Sequence, residues 1–188
     1  MIVVMKKRFN TGKGLPRATM GDQFELLEFR DKLVKQPIMR QSRRDGTVLY
    51  GANAVNALVG PDFSRNTYDY DVYSRMPLSH ARELERHIDR GVNADLMYVE
   101  QTSYPSDGKE KRLFRVKNCL NDVVEADYNG MPDDIQFVKR GGVRYETLGR
   151  ASKKYDKMIR QPELGRGFHG LIDEGRIRSF RFFKKIRR

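Results

Sequence analysis

Apolar positions along the chain switch between a period near 3.6 and a period of 2, and each switch marks an element. Positions 22–35 open on Asp22, a good N-cap, and carry Phe24, Leu27 and Leu33 at helical spacing; Pro37 is expected to end that helix. Asp45-Gly46 marks a turn, after which 47–50 reads as a short strand. Gly51 closes the strand, and 52–58 reads as a helix stopped by Gly60-Pro61. Alternation over 68–73 predicts a strand with Asp69 and Asp71 on one face and Tyr68, Tyr70 and Val72 on the side that packs on a core. Pro77 suits a first helical turn, Leu78, Ala81, Leu84 and Ile88 give 77–90 an apolar stripe, and Gly91 stops it. Strand-like runs follow at 95–99, 112–116 and 123–128, the first two separated by a loop holding Pro105, Asp107 and Gly108. Residues 135–138 and 143–145 flank Gly141-Gly142 as a hairpin. A basic helix is expected over 147–160, a loop over 165–170, and a last helix over 171–187 with Ile172, Ile177, Phe180 and Phe183 inward.

This order predicts an α+β fold, or α/β with a short sheet: a short mixed sheet covered on one side by helices. It divides into a basic arm (1–21), a folded domain (22–146) and a basic helical C-terminus (147–188) packed on the same domain. With 188 residues, 38% apolar and 10% aromatic, the chain can bury one core of its own. Net charge is +12, but unevenly spread: +6 over 1–45, −5 over 46–136 and +11 over 137–188. An acidic centre between basic ends fits a metal site flanked by polyanion-binding segments. In the tail 176–188 the rings are expected to pack and the cations to meet phosphate. No stretch approaches the roughly 20 apolar residues that cross a bilayer, and 1–5 is too short for a signal sequence, so no membrane partner is expected. The single cysteine, Cys119, excludes an internal disulfide and fits a reducing, cytoplasmic setting. Between Val116 and Leu120 it reads as a small buried hydrophobe. His80 and His87 stand two helical turns apart without a completed zinc set and read as surface or half-buried packing.

Candidate chemistry concentrates between Gly51 and Asp71. Two adjacent carboxylates repel unless a cation lies between them, and their oxygens suit a hard ion such as Mg²⁺. A glycine turn ahead of a helix brings backbone N–H groups close to a phosphate. On the strand 123–128, alternation puts Glu125 and Asp127 together on one face, opposite Val124 and Ala126, so either can supply a third carboxylate.

Gly51-Ala52, the short helix after it, the lead-in Arg65-Asn66-Thr67 and Asp69-Tyr70-Asp71 together resemble the DNA polymerase β-like nucleotidyltransferase superfamily. That family carries a small-residue turn after a strand, a short helix, Asp-x-Asp on the next strand, and a further carboxylate from a later strand. The likeness covers 46–74, extends by element order to about 128, and is weaker at Arg166, His169 and Asp173. Ala52 stands where the family has Ser or Gly, and sixteen residues separate it from Asp69, more than is common there.

The resemblance implies a metal-dependent nucleotidyltransferase moving a nucleoside monophosphate from an NTP to a hydroxyl acceptor. Asp69, Asp71 and Asp127 (Glu125 in reserve) would hold two Mg²⁺ or Mn²⁺ ions. Gly51, Ala52 and Asn53 would cradle phosphates with their amides; Arg65, Lys153 and Lys157, with Lys154, would meet the triphosphate. Partners are then an NTP and a nucleic acid or other polyanion. The alternative is a protein that kept the fold and lost the chemistry, serving as a nucleic-acid-binding or structural module of a larger assembly such as a phage virion. A third option is a toxin–antitoxin partner that nucleotidylates another protein.

Overall fold

The computed structural model describes Glu28 and residues 30–106, 109–160 and 167–186. The first helix does not stop at Pro37. A π-turn over Asp31–Lys35, closed by the Gln36 N–H donating to the Asp31 carbonyl, runs directly into α1, Gln36–Asp45. Pro37 sits in the first turn of α1, where its missing N–H has no bond to lose. Gly46, left-handed at φ 72°, ends α1.

β1 (Val48–Tyr50) is buried at every position, and α2 (Gly51–Val59) starts at the next residue. A 3₁₀ turn, Pro61–Phe63, lies on the way to β2 (Tyr70–Ser74). α3 spans Pro77–Val92 and stops at left-handed Asn93, not at Gly91. Gly91 answers to packing instead: a Cβ there would run into the Leu33 side chain. β3 (Met97–Ser106) and β4 (Lys109–Asn118) pair over their whole length, in place of the shorter strands and loop expected from Pro105 and Gly108. β5 is Val124–Gly130. The hairpin of β6 (Phe137–Arg140) and β7 (Val143–Glu146) turns on Gly141 and Gly142, both at positive φ as a tight two-residue turn requires. α4 (Leu148–Arg160) and α5 (Gly167–Ile186) complete the chain; α5 begins inside the segment read as a loop.

The seven strands form one mixed sheet in the order β3-β4-β5-β2-β1-β7-β6. β2 runs parallel to β5 and β1 parallel to β7; the other pairs are antiparallel. One face presents Leu49, Val72, Phe114, Val116, Ala126 and Tyr128 to Val34 and Ile38 and to Ala81, Leu84 and Ile88 of α3. Each of the Val, Leu, Ile and Phe side chains among them contributes about 1.5–3 kcal/mol by leaving water. The Tyr128 hydroxyl in this core donates to Gln41 Oε1 at 2.7 Å, and the Gln41 amide donates to the His80 carbonyl.

The sheet is covered on both sides, not one. Val55 and Val59 of α2 pack with Ala151, Tyr155 and Ile177 of α4 and α5. Ile177 is fully buried and Phe180 packs against the cluster, but Ile172 faces water. Tyr68 is also exposed, because β2 begins only at Tyr70. Cys119 is exposed at the end of β4 and not a core residue. His80 is fully buried, its ring held between Ser74 Oγ at 2.6 Å and Asp45 Oδ2 at 3.1 Å. The arm 1–21, Asp22, Phe24, Leu27, Arg166 and the side chains of His169 and Phe183 lie outside the described residues. Among the described residues, no helix is long and apolar enough to cross a membrane.

Candidate active site

The sheet face under α2 and α4 carries the acidic residues. Parallel pairing sets Asp71 of β2 opposite Asp127 of β5, with Val72 opposite Tyr128 beside them. Adjacent strands lie about 4.8 Å apart, so two carboxylates in register on one face are near neighbours. Asp69 sits at the bend just before β2, where Thr67 Oγ1 donates to its Oδ1 at 3.2 Å. All three line one cleft of about 2430 Å³. Glu125 does not line it; Arg30 binds its carboxylate at 2.7 and 3.0 Å. The two acids that alternation left equivalent therefore differ in surroundings.

Gly51 is fixed twice over. Its φ of +68° is a conformation that L side chains adopt at a cost of about 1–2 kcal/mol. A Cβ there would also overlap Asp71 Oδ2. The Asp71 carboxylate thus rests against bare backbone at the first residue of α2, whose N-terminus has no side-chain cap. Gly51 and Ala52 both border the cleft. Asn53 turns elsewhere, its amide donating to the Asp69 carbonyl at 2.6 Å and so bracing the aspartate bend.

The long connection between α2 and β2 is pinned. Asn56 Nδ2 donates to the Arg65 carbonyl at 2.8 Å, and Asn56 Oδ1 accepts from the Arg65 amide at 3.1 Å. Arg176 of α5 donates to the Phe63 carbonyl at 2.6 Å and also to Asn56 Oδ1. Arg65 lines the cleft, but its guanidinium is held by the buried carboxylate of Asp173 through bonds of 2.8 and 3.1 Å. That hydrogen bond raises the Arg65 pKa further.

Opposite the carboxylates, α4 turns Lys153, Lys154 and Lys157 into the cleft, with Lys154 Nζ 4.3 Å above the Tyr50 ring. Tyr50 and Tyr73 stack at 3.8 Å. Asn129 donates to the Tyr50 hydroxyl and accepts from the Tyr104 hydroxyl at 3.0 Å. These four polar or aromatic groups escaped the sequence reading, although Asn129 stands two residues after Asp127 and Tyr73 two after Asp71. Burial, and then the charges of Asp71 and Asp127, push the Tyr50 hydroxyl well above the usual phenol range. Burial also lifts the Tyr155 pKa, with Asp173 and Asp71 adding to it. Burial is the main cause for both tyrosines, and the neighbouring carboxylates add to it.

Hard oxygen donors beside an uncapped helix N-terminus, with lysines lining the same cleft, fit a divalent cation with a polyphosphate. A guanidinium competes for Asp127. Arg115 of β4 sits opposite Asp127 and approaches its Oδ1 at 3.4 Å. Among the described residues, the three metal-type ligands whose donor atoms all lie within 4.8 Å of one another are Asp45, His80 and Glu83, not the three cleft aspartates. There the Arg44 guanidinium already bridges Asp45 at 2.6 Å and Glu83 at 2.8 Å, supplying the positive charge.

No protein-family model matches the chain, and no curated protein matches it in sequence. Among solved structures, the polyadenylate synthase of Megavirus is similar over 91% of this chain, with a TM-score of 0.52 and 18% identity. JHP933 from Helicobacter pylori matches over 83% of this chain and 92% of its own, at a TM-score of 0.40 and 12% identity. This chain spans 40% of the length of the polyadenylate synthase chain. The likeness to that enzyme lies in architecture: the chain has a nucleotidyltransferase-like α+β fold.

Proposed function

We propose that the protein is a metal-dependent nucleotidyltransferase that moves a nucleoside monophosphate from an NTP to a hydroxyl acceptor. The observation that carries this reading is the Asp71 carboxylate lodged against left-handed Gly51 at the start of α2, in register with Asp127. Asp69, Asp71 and Asp127 would hold Mg²⁺ or Mn²⁺. Such ions, when bound, neutralise the triphosphate and lower the pKa of the acceptor hydroxyl. The amides at Gly51 and Ala52 would meet the triphosphate, and Lys153, Lys154 and Lys157 of α4 would supply opposing charge. Arg65, clamped by Asp173, orients the strand that carries the aspartates instead of reaching the substrate.

In the transfer, the acceptor oxygen bonds to the α-phosphorus as its proton passes to solvent. The bond from that phosphorus to the bridging oxygen breaks, and pyrophosphate leaves. The protein's part is position and charge, which is most of what such a displacement requires. A second reading, a binding module without chemistry, draws on Arg115 beside Asp127 and on Ala52 in place of a hydroxyl side chain.

Label transfer from radioactive NTPs with Mg²⁺ separates the two. Transfer that disappears in Asp69→Asn/Asp71→Asn supports the enzyme. Transfer undiminished in that variant, or absent with every acceptor, would falsify it.

A further inference from the structure

The sheet face away from the acidic residues is covered by α1 and α3, and their outer surfaces meet in a groove of about 760 Å³. α1 contributes Arg40, Arg43 and Arg44 to it, and α3 contributes Arg86, His87 and Arg90. Glu83 is the one carboxylate among its lining residues, and Arg44 neutralises it at 2.8 Å. Among the described residues, Arg40, Arg86 and Arg90 make no ion pair with a carboxylate. Arg40 approaches His87 Nε2 at 3.4 Å, and Arg86 donates to the Arg82 carbonyl at 3.2 Å. All three guanidinium residues are exposed. Burial first, then the Arg40 guanidinium, hold the His87 pKa below the ordinary imidazole value.

Arg86 also lines the acidic cleft, as does Arg82, so the groove and the cleft meet along α3. Arg82, Arg86 and Arg90 recur every four residues, a step of about 6 Å along the helix axis. That makes a ladder of cations leading away from the aspartates. Guanidinium forks suit phosphate oxygens, which they can grip through two parallel hydrogen bonds. The groove has no exposed large apolar side chain, so it lacks the anchors that a peptide or a lipid surface would use.

We propose that this groove binds the sugar-phosphate backbone of a single-stranded nucleic acid whose terminal hydroxyl is the acceptor in the cleft. The assignment rests on the transfer reading for what happens at the strand's end, and adds where the rest of the strand lies.

The test is fluorescence anisotropy of the full chain with labelled RNA of three and of about fifteen nucleotides across a KCl series. Each phosphate contact contributes about 0.7 to the slope of log K against log salt for a single strand. Arg40→Gln/Arg86→Gln/Arg90→Gln should therefore lower the slope for the longer RNA by about 2 and remove its affinity gain over the trinucleotide. Lys32→Gln/Lys139→Gln/Arg160→Gln removes the same charge from exposed positions outside the groove, the cleft and the tail and should keep both. Equal losses in the two triple variants, or an unchanged slope in the arginine variant, overturn the groove. Asp69→Asn/Asp71→Asn should keep the length-dependent gain while losing Mg²⁺-NTP binding by calorimetry. If it binds Mg²⁺-NTP like the parent, the transfer reading falls, and the arginine slope still decides the groove.

Discussion

Gly51 and Asp71 are the contact on which the site's geometry depends. Gly51→Ala is expected to cost about 1–2 kcal/mol for the left-handed backbone alone and to push Asp71 out of line with Asp127. Urea unfolding should show the lowered midpoint, and calorimetry with a non-hydrolysable NTP and Mg²⁺ should show weakened binding. A variant with parental nucleotide affinity would mean that Asp71 does not need its present seat. Gly51 was legible in the sequence as a turn glycine. Its steric role was not, because the atom it avoids lies twenty residues away on β2. The choice between Asp127 and Glu125 was hidden for a similar reason. Alternation puts both on one face; the register of β2 with β5 and the Arg30–Glu125 ion pair distinguish them, and both are long-range facts. Asn129 and Tyr73 were within reach of the same alternation, one step further along each strand.

Element types followed from periodicity, while several boundaries were decided by contacts that periodicity does not contain. Pro37 marks the start of a helical segment because the π-turn ahead of it removes the bond that proline would have broken. Gly91 lies within α3 to let Leu33 approach, and Asn93 does the capping. β3 and β4 extend past Pro105 because their pairing runs to the end of the hairpin. The docking of α5 on α2 and α4 rests on Ile177, fully buried, and on the Asp173 carboxylate shared by Arg65 and Arg176. Ile177→Ala should cost about 2–5 kcal/mol through lost burial and the cavity left behind. Hydrogen exchange should then show reduced protection in α5 and in the Arg65 connection together, while α1 and α3 stay protected. A loss of less than about 1 kcal/mol, or exchange spread evenly over the chain, would mean that α5 is not what holds the aspartate strand's lead-in.

The charge pattern of the chain becomes a spatial pattern once folded. The acidic middle segment supplies the carboxylates on β2 and β5, and the basic C-terminal segment supplies the lysines of α4 across the cleft. The arginine groove drew no attention in the sequence, because its cations come from two helices more than thirty residues apart. The same folding produced a competing ligand set, Asp45, His80 and Glu83, with a guanidinium already in place. The most direct measurement is anomalous diffraction from crystals soaked with Mn²⁺ and a non-hydrolysable NTP. A manganese peak between the carboxylates of Asp71 and Asp127, with Asp69 and triphosphate oxygens around it, is the predicted result. No peak there, with Arg115 still seated on Asp127 or with manganese at Asp45, His80 and Glu83 instead, would contradict it.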